Sequence, residues 1–153
     1  VLDDVRSMNN VGSIFRTADA FRLEGLVLCG ITARPPRPDI HKTALGAEDS
    51  VSWRYATDSL EAVRQLREEG YQLLALEQAH GSQSLETFVT RPEGRYALIL
   101  GNEVRGVRDE VMAEVTTSLE IPQLGTKHSL NVSVAAGIAL WQLVLPLLPT
   151  LKR

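Results

Sequence analysis

The sequence contains one cysteine, Cys29, and three histidines among its 153 residues. A single cysteine excludes an intramolecular disulfide, and its apolar neighbours indicate a core position, so a reducing, cytoplasmic setting is expected. The histidines His41, His80 and His128 lack cysteine or histidine partners at the spacing of metal sites. The sequence therefore predicts neither disulfides nor a structural metal site.

Long uninterrupted apolar runs are also missing, since no stretch approaches the roughly 18–20 residues of a membrane-spanning helix. Repeats, low-complexity tracts and linkers are absent as well. With 44% apolar and 23% charged residues, the chain has the composition of a soluble domain with a single core. We therefore predict one domain over residues 1–153. The chain begins at Val1, inside an apolar run, and we expect that N-terminal residues are missing.

No excess of positive charge is present, because 16 basic and 19 acidic side chains give a net charge of −3. Proteins that bind nucleic acids usually carry a basic surface, so this balance argues weakly against such a partner. The charge is unevenly distributed, however. Residues 1–54 contain seven basic and seven acidic side chains, whereas residues 55–153 contain nine and twelve. The N-terminal third is therefore the less acidic part.

Three common ligand-binding motifs are absent. No G-x-G-x-x-G follows the first predicted strand, and neither G-x-x-x-x-G-K-[ST] nor G-x-S-x-G occurs. An ordinary dinucleotide-binding fold, a P-loop enzyme and an α/β-hydrolase are therefore disfavoured. The adjacent carboxylates Asp3 and Asp4 do not form a catalytic pair for glycoside hydrolysis, because neighbours on a strand point to opposite faces.

Apolar runs of strand length alternate with segments of helical periodicity. Predicted strands cover residues 1–5, 26–31, 51–55, 72–77, 96–100 and 118–121. Predicted helices cover residues 10–23, 41–47, 58–69, 107–115 and 132–145, and the proline-rich segment 32–40 is predicted to be an irregular loop. This alternation predicts an α/β fold with a mostly parallel sheet flanked by helices.

Three loops rich in glycine, asparagine or serine follow predicted strands, at residues 6–10, 101–106 and 122–130. In parallel α/β sheets, ligands bind beyond the carboxyl ends of the strands, so the loops predict one composite site. Ser129 and Asn131 stand where the last loop becomes an apolar helix. A helix start can hold a ligand, but serine and asparagine are also preferred N-caps, and both interpretations remain open here.

Together the three loops resemble the motifs of a known family. The segment Asn10-Val-Gly-Ser-Ile-Phe-Arg-Thr-Ala18 resembles the first motif of the SpoU/TrmH group of SPOUT RNA 2′-O-methyltransferases. The segment Leu98-Ile-Leu-Gly-Asn-Glu-Val-Arg-Gly106 is similar to the second motif, and Ile121-Pro with Ser129-Leu-Asn-Val-Ser-Val-Ala135 is similar to the third. The resemblance covers nearly the whole chain. Gln123 departs from the pattern, in which methionine is common after the Ile-Pro pair.

The resemblance implies a C-terminal deep trefoil knot that binds S-adenosylmethionine, and a homodimer whose active site draws on both subunits. The implied reaction is methyl transfer to a ribose 2′-OH of tRNA or rRNA. A catalytically inactive knotted RNA-binding module is one alternative, and a small-molecule enzyme of unrelated α/β fold is another. The nearly all-apolar last helix fits a dimer interface, although a buried core helix would have the same composition.

The resemblance also implies roles for individual residues. The catalytic candidates are Arg16, Asn10, Glu103, Ser129 and Asn131. The cofactor-binding candidates are Leu76, Leu100, Gly101, Asn102, Ile121, Gln123, Ser129 and Leu130. Arg16 is expected to orient the 2′-oxygen, with an ion pair to Asp19 or Asp3 as the alternative, and the alternative for Asn10 is an N-cap. Arg6, Arg22, Arg34, Arg37 and Lys42 are candidates for phosphate contact with RNA, and solvated surface is the alternative for each.

Overall fold

The computed structural model describes residues 1–127 and 129–151. His128, one of the three histidines for which the sequence predicts no metal site, lies outside the described residues, as do Lys152 and Arg153.

The described part of the chain contains seven strands: β1 (Leu2–Asp3), β2 (Leu26–Cys29), β3 (Trp53–Ala56), β4 (Gln72–Leu76), β5 (Gln83–Ser84), β6 (Tyr96–Ile99) and β7 (Thr117–Glu120). Strands β1-β2-β3 form one ladder and β5-β7-β4-β6 form a second. A bridge between Leu2 and Leu100 joins β1 to the end of β6, which gives the order β3-β2-β1-β6-β4-β7-β5. These strands pair in parallel, as the sequence predicts.

Six α-helices lie within the described residues: α1 (Met8–Ala20), α2 (Pro38–Ala44), α3 (Ala47–Ser50), α4 (Ser59–Glu68), α5 (Asp109–Met112) and α6 (Val132–Val144). The side chains of Ser7, Asp58 and Asn131 accept hydrogen bonds from the first turns of α1, α4 and α6. These caps satisfy N–H groups that have no partner inside the helix. Short 3₁₀ turns cover Leu85–Thr87 and Leu145–Thr150.

Helices cover both faces of the sheet, as the packing of β2 shows. Leu26 and Leu28 pack into a core with α1 and α2, whereas Val27 and Cys29 pack on the opposite face with α4 and α5. Alternate residues of a strand point to opposite faces, so an unbroken apolar strand requires helices on both sides. Cys29 is fully buried, and burial raises the pKa of its thiol to about 11. The predicted core position of Cys29 is therefore confirmed.

Three predictions about the elements are wrong, and two short elements, α3 and β5, were not predicted. The proline-rich segment is not irregular throughout, because Pro38 begins α2, where its missing N–H costs nothing. The helix predicted over residues 41–47 therefore begins earlier and ends at Ala44. Only Asp109–Met112 is α-helical within the predicted helix 107–115, and β5 was not predicted because two residues show no periodicity.

The last helix exposes much of its apolar surface. With the 3₁₀ turn it forms a segment, Val132–Thr150, of 19 residues and mean hydropathy 1.8, of which 28% is buried. By length and composition alone it passes the test for a membrane span, a test that the core helix of a soluble protein also passes. Ala136, Ala139 and Leu143 pack in the core. The opposite side is an exposed apolar stripe of Val134, Ile138, Trp141, Leu145 and Leu148.

Candidate functional site

The loops that follow β4, β6 and β7 surround a cavity of about 340 Å³ at the carboxyl edge of the sheet. This volume lies within the range of small-molecule sites. The sequence predicted eight cofactor-binding residues, and all eight line this cavity: Leu76, Leu100, Gly101, Asn102, Ile121, Gln123, Ser129 and Leu130. Gln123, which departs from the family pattern, is thus part of the wall.

The loop after β6 forms one side of the cavity as a tight backbone turn. Asn102 and Gly106 exchange two backbone hydrogen bonds, at 3.1 and 2.8 Å. A Cβ atom on Gly101 would lie 2.2 Å from the carbonyl carbon of Gly106 and from the backbone nitrogen of Val107, so only glycine fits there. The Asn102 side chain donates to the carbonyl oxygen of Asp4 at 2.8 Å and thereby ties this loop to the loop after β1.

Glu103 makes the second link between these two loops. Its carboxylate accepts hydrogen bonds from the backbone N–H groups of Arg6 and Ser7 at 2.9 and 3.0 Å, and from Nδ2 of Asn10 at 3.1 Å. Burial by itself would raise the pKa of Glu103, but these donors outweigh it and hold the pKa below its usual value. Glu103 is therefore ionised at neutral pH.

Asn10 and Asn131 extend this network to the third loop. Nδ2 of Asn131 donates to Oδ1 of Asn10 at 3.1 Å, so the chain Asn131–Asn10–Glu103 connects all three motif loops. Oδ1 of Asn131 also caps α6 by accepting from the N–H groups of Ser133 and Val134. Asn131 can therefore be the N-cap of α6 and a residue of the site at the same time. The N-cap alternative for Asn10 is wrong, because Ser7 caps α1.

Two of the predicted catalytic residues, Ser129 and Arg16, are not part of this hydrogen-bonded network. Ser129 lines the cavity, is exposed, and makes no hydrogen bond to a described residue. Arg16 does not line the cavity: it is exposed on α1, six positions after Asn10 and therefore about 120° from it around the helix. The predicted alternative of an ion pair is wrong, since Asp19 accepts from Ser50 and Asp3 pairs with Arg108.

The five basic residues predicted to contact phosphate do not form one patch. Arg34 and Arg37 line a second cavity of about 440 Å³ beside Met8, with the Arg34 guanidinium 4.0 Å from the centre of the Tyr55 ring. Arg6 lies in the loop bound to Glu103, and Lys42 is exposed on α2. Arg22 lies apart, at a third cavity of about 680 Å³ by the amino ends of β2 and β3.

The sequence analysis missed two carboxylates of the cavity wall, Glu77 and Glu120. Glu77 follows β4 and accepts a hydrogen bond from the N–H of Val107 at 2.9 Å, while Glu120 is the last residue of β7. Both stand at carboxyl ends of strands, which is the signal that could have identified them. Among the described residues, no group of three or more histidine, cysteine or acidic side chains could hold a metal ion.

The sheet is parallel, has helices on both faces and has a cavity at its carboxyl edge. These features define the class of the protein as an α/β domain with a candidate ligand site formed by several loops. Residues 1–141 match the model of the SpoU rRNA Methylase family. The chain belongs to this family.

Known members share sequence and fold with the chain. It is 34% identical over 143 residues to a protein of Nitrosomonas europaea named 23S rRNA (guanosine-2′-O-)-methyltransferase RlmB, and the match covers 93% of this chain and 54% of that protein. The crystal structure of an AdoMet-bound rRNA methyltransferase from Sinorhizobium meliloti has a TM-score of 0.85 and 33% identity, covering 92% of this chain and 53% of the other. The chain thus spans about half the length of these relatives.

A shorter relative matches along nearly its whole length. This structure, described as giving insights into the 2-OH methylation of C/U34 on tRNA, has a TM-score of 0.81 and 31% identity. The match covers 97% of this chain and 94% of the other. The relatives that the chain resembles thus include proteins described as acting on rRNA and one described with tRNA.

Proposed function

We propose that this domain transfers a methyl group from S-adenosylmethionine to a ribose 2′-OH of RNA in the cytoplasm. The observation that carries the proposal is the hydrogen-bonded chain Asn131–Asn10–Glu103, which joins three motif loops beside a cavity of about 340 Å³. The names of the relatives from N. europaea and S. meliloti support the reaction and the cofactor.

The volume of the cavity and its glycine-containing loop support binding of the cofactor there. Gly101 and Gly106 let the backbone approach a ligand where a Cβ atom would collide with protein. Leu76, Ile121 and Leu130 line the cavity, and we assign to their backbone groups the binding of adenine and ribose that the family resemblance implies. When bound, the cofactor supplies an electrophilic methyl carbon.

In the proposed reaction the bound cofactor would supply this carbon to the 2′-oxygen, and its sulfur would keep the electron pair of the broken carbon–sulfur bond. The hydroxyl proton passes to a neighbouring phosphate or to water. Arg16 orients and polarises the 2′-oxygen and the adjacent phosphate, but a guanidinium keeps its protons in proteins and is not the base. Asn10 and Ser129 position the ribose, and Glu103 keeps the first two loops together.

The position of Arg16 supports a homodimer. Arg16 lies on a face of α1 that does not line the cavity of its own chain, so a second copy must supply it. The exposed apolar stripe of α6 offers a surface for that copy, because a row of large apolar side chains in water is unfavourable. We also propose that the C-terminal segment is threaded into the deep trefoil knot implied by the family resemblance.

Two measurements test the function. Calorimetric titration with S-adenosylmethionine tests the cavity, and methyl transfer to bulk tRNA and rRNA tests the reaction and its RNA class. Binding of cofactor and RNA without methylation would assign an inactive RNA-binding module instead. Absence of cofactor binding would contradict the proposal as a whole.

Substitution of Arg16 tests its role in the reaction. We expect Arg16→Lys to keep the cofactor Kd within about twofold, because Arg16 lies outside the cavity, and to lower kcat by about 100-fold or more, because lysine lacks the planar paired donors. Arg91→Lys, at an exposed position by the amino end of β6, is the matched control. Normal methylation by the Arg16→Lys protein would contradict the assignment.

A further inference from the structure

Three carboxylates line the proposed cofactor cavity: Glu77, Glu103 and Glu120. Among the described residues that line it, none is lysine, arginine or histidine. Of these three carboxylates, none forms an ion pair with a described residue. The cavity therefore carries uncompensated negative charge.

Two of these carboxylates have a structural task. Glu103 accepts from the N–H groups of Arg6 and Ser7, and Glu77 accepts from those of Val107 and Gln78. Both therefore help to fix the loops around the cavity. Their hydrogen bonds account for their presence without any ligand.

Glu120 has no such task. It is the last residue of β7, half-buried at the cavity wall, and its side chain makes no hydrogen bond or ion pair with a described residue. A carboxylate without a structural partner, directed by its strand to the ligand-binding edge of the sheet, is free to act on the ligand. Its charge at this depth is screened less by salt than that of a surface residue.

We propose that Glu120 makes the cavity select a cationic ligand, so that S-adenosylmethionine binds in preference to its neutral product, S-adenosylhomocysteine. The inference rests on the proposed function. The amino acid groups of both molecules cancel in charge, and only the cofactor carries the additional sulfonium. Methyl transfer therefore removes one positive charge from the ligand, and with it the attraction to Glu120 and its acidic neighbours. The product leaves more easily as a result.

Calorimetric titration of the purified protein with three ligands tests the inference: S-adenosylmethionine, S-adenosylhomocysteine and sinefungin, in which an ammonium replaces the sulfonium. We expect Glu120→Gln to weaken the two cationic ligands by about three- to tenfold and to change S-adenosylhomocysteine by less than about twofold. Glu120→Asp retains the charge and should retain the preference. Glu93→Gln, which removes an exposed charge near the amino end of β6, is the control for net charge.

Equal changes for charged and neutral ligands would overturn the inference, because they would indicate a packing effect of Glu120. An unchanged ratio in Glu120→Gln, or the same shift in Glu93→Gln, would overturn it as well. These outcomes leave the proposed function intact, since the wild-type protein still binds the cofactor. If the wild-type protein binds none of the three ligands, the proposed function fails, and the inference fails with it.

Discussion

At the scale of single residues, Asn131 shows that a cap and a site residue can be the same side chain. Its oxygen accepts from the N–H groups of Ser133 and Val134, while its nitrogen donates to Asn10. An amide carries both an acceptor and a donor, so one asparagine can start the helix and fix the network. Ser129, the other N-cap candidate of the sequence, does not cap α6.

The two tasks of Asn131 can be separated by substitution. Asn131→Asp keeps the acceptor and should change the free energy of unfolding by less than about 0.5 kcal/mol, whereas Asn131→Ala should lower it by about 1 kcal/mol. Both variants lose the donor to Asn10, and we expect both to lose most methyl transfer. Urea unfolding and a methylation assay measure the two effects. Full activity of Asn131→Asp would show that the bond to Asn10 is not needed.

At the scale of elements, the apolar composition of α6 does not distinguish a buried core helix from a helix at a dimer interface. Ala136, Ala139 and Leu143 pack in the core, and the stripe from Val134 to Leu148 is exposed. Periodicity cannot divide a helix that is apolar on every side into a core face and an interface, because it has almost no polar face to mark the boundary. That division comes from the packing of α6 against α1, the 3₁₀ turn Leu85–Thr87 and the apolar side chains of β4 and β7.

The stripe gives a prediction about self-association. Ile138→Glu places a charge at its centre, so we expect the wild-type protein to sediment as a dimer and this variant as a monomer at the same concentration. Leu45→Glu is the matched control, because Leu45 is 60% exposed but lies outside the stripe. Analytical ultracentrifugation measures the difference. A wild-type monomer that partitions onto lipid vesicles would assign the stripe to a membrane surface instead.

At the scale of the whole molecule, the cavity and Arg16 belong to different surfaces of one chain. The carboxyl ends of β4, β6 and β7 hold the cavity, whereas Arg16 is exposed on α1 and does not line it. Two copies can complete each other's site if their association is symmetric, because each then gives one arginine and receives one. The proposed active site is therefore a property of the assembly.

Subunit mixing tests this arrangement. The Arg16→Lys chain keeps an intact cavity, and the Asn131→Ala chain keeps an intact arginine, so a mixed dimer contains one complete site. Random pairing makes half of the dimers mixed, and we expect co-expression to restore about one quarter of wild-type methylation. Each variant expressed alone is the control. No restoration in verified mixed dimers would show that Arg16 acts within its own chain.

Much of the fold was accessible to sequence reasoning, for physical reasons that can be named. Apolar runs predicted the strands that include β2 and β6, and their alternation with helical segments predicted a parallel sheet flanked by helices, which the structure confirms. Errors fell on short elements. Pro38 was interpreted as a helix breaker although it can begin a helix, and β5 is too short to show a period.

The sequence by itself determined the parallel α/β class, the family and the eight residues of the cavity wall that it predicted. Loops at the carboxyl ends of parallel strands meet at one edge, so order along the chain predicts their proximity. Only the tertiary structure decided that Arg16 does not line the cavity and that Glu77 and Glu120 do. Side-chain direction depends on how helices and strand ends are rotated by long-range packing, which no local pattern in the sequence records.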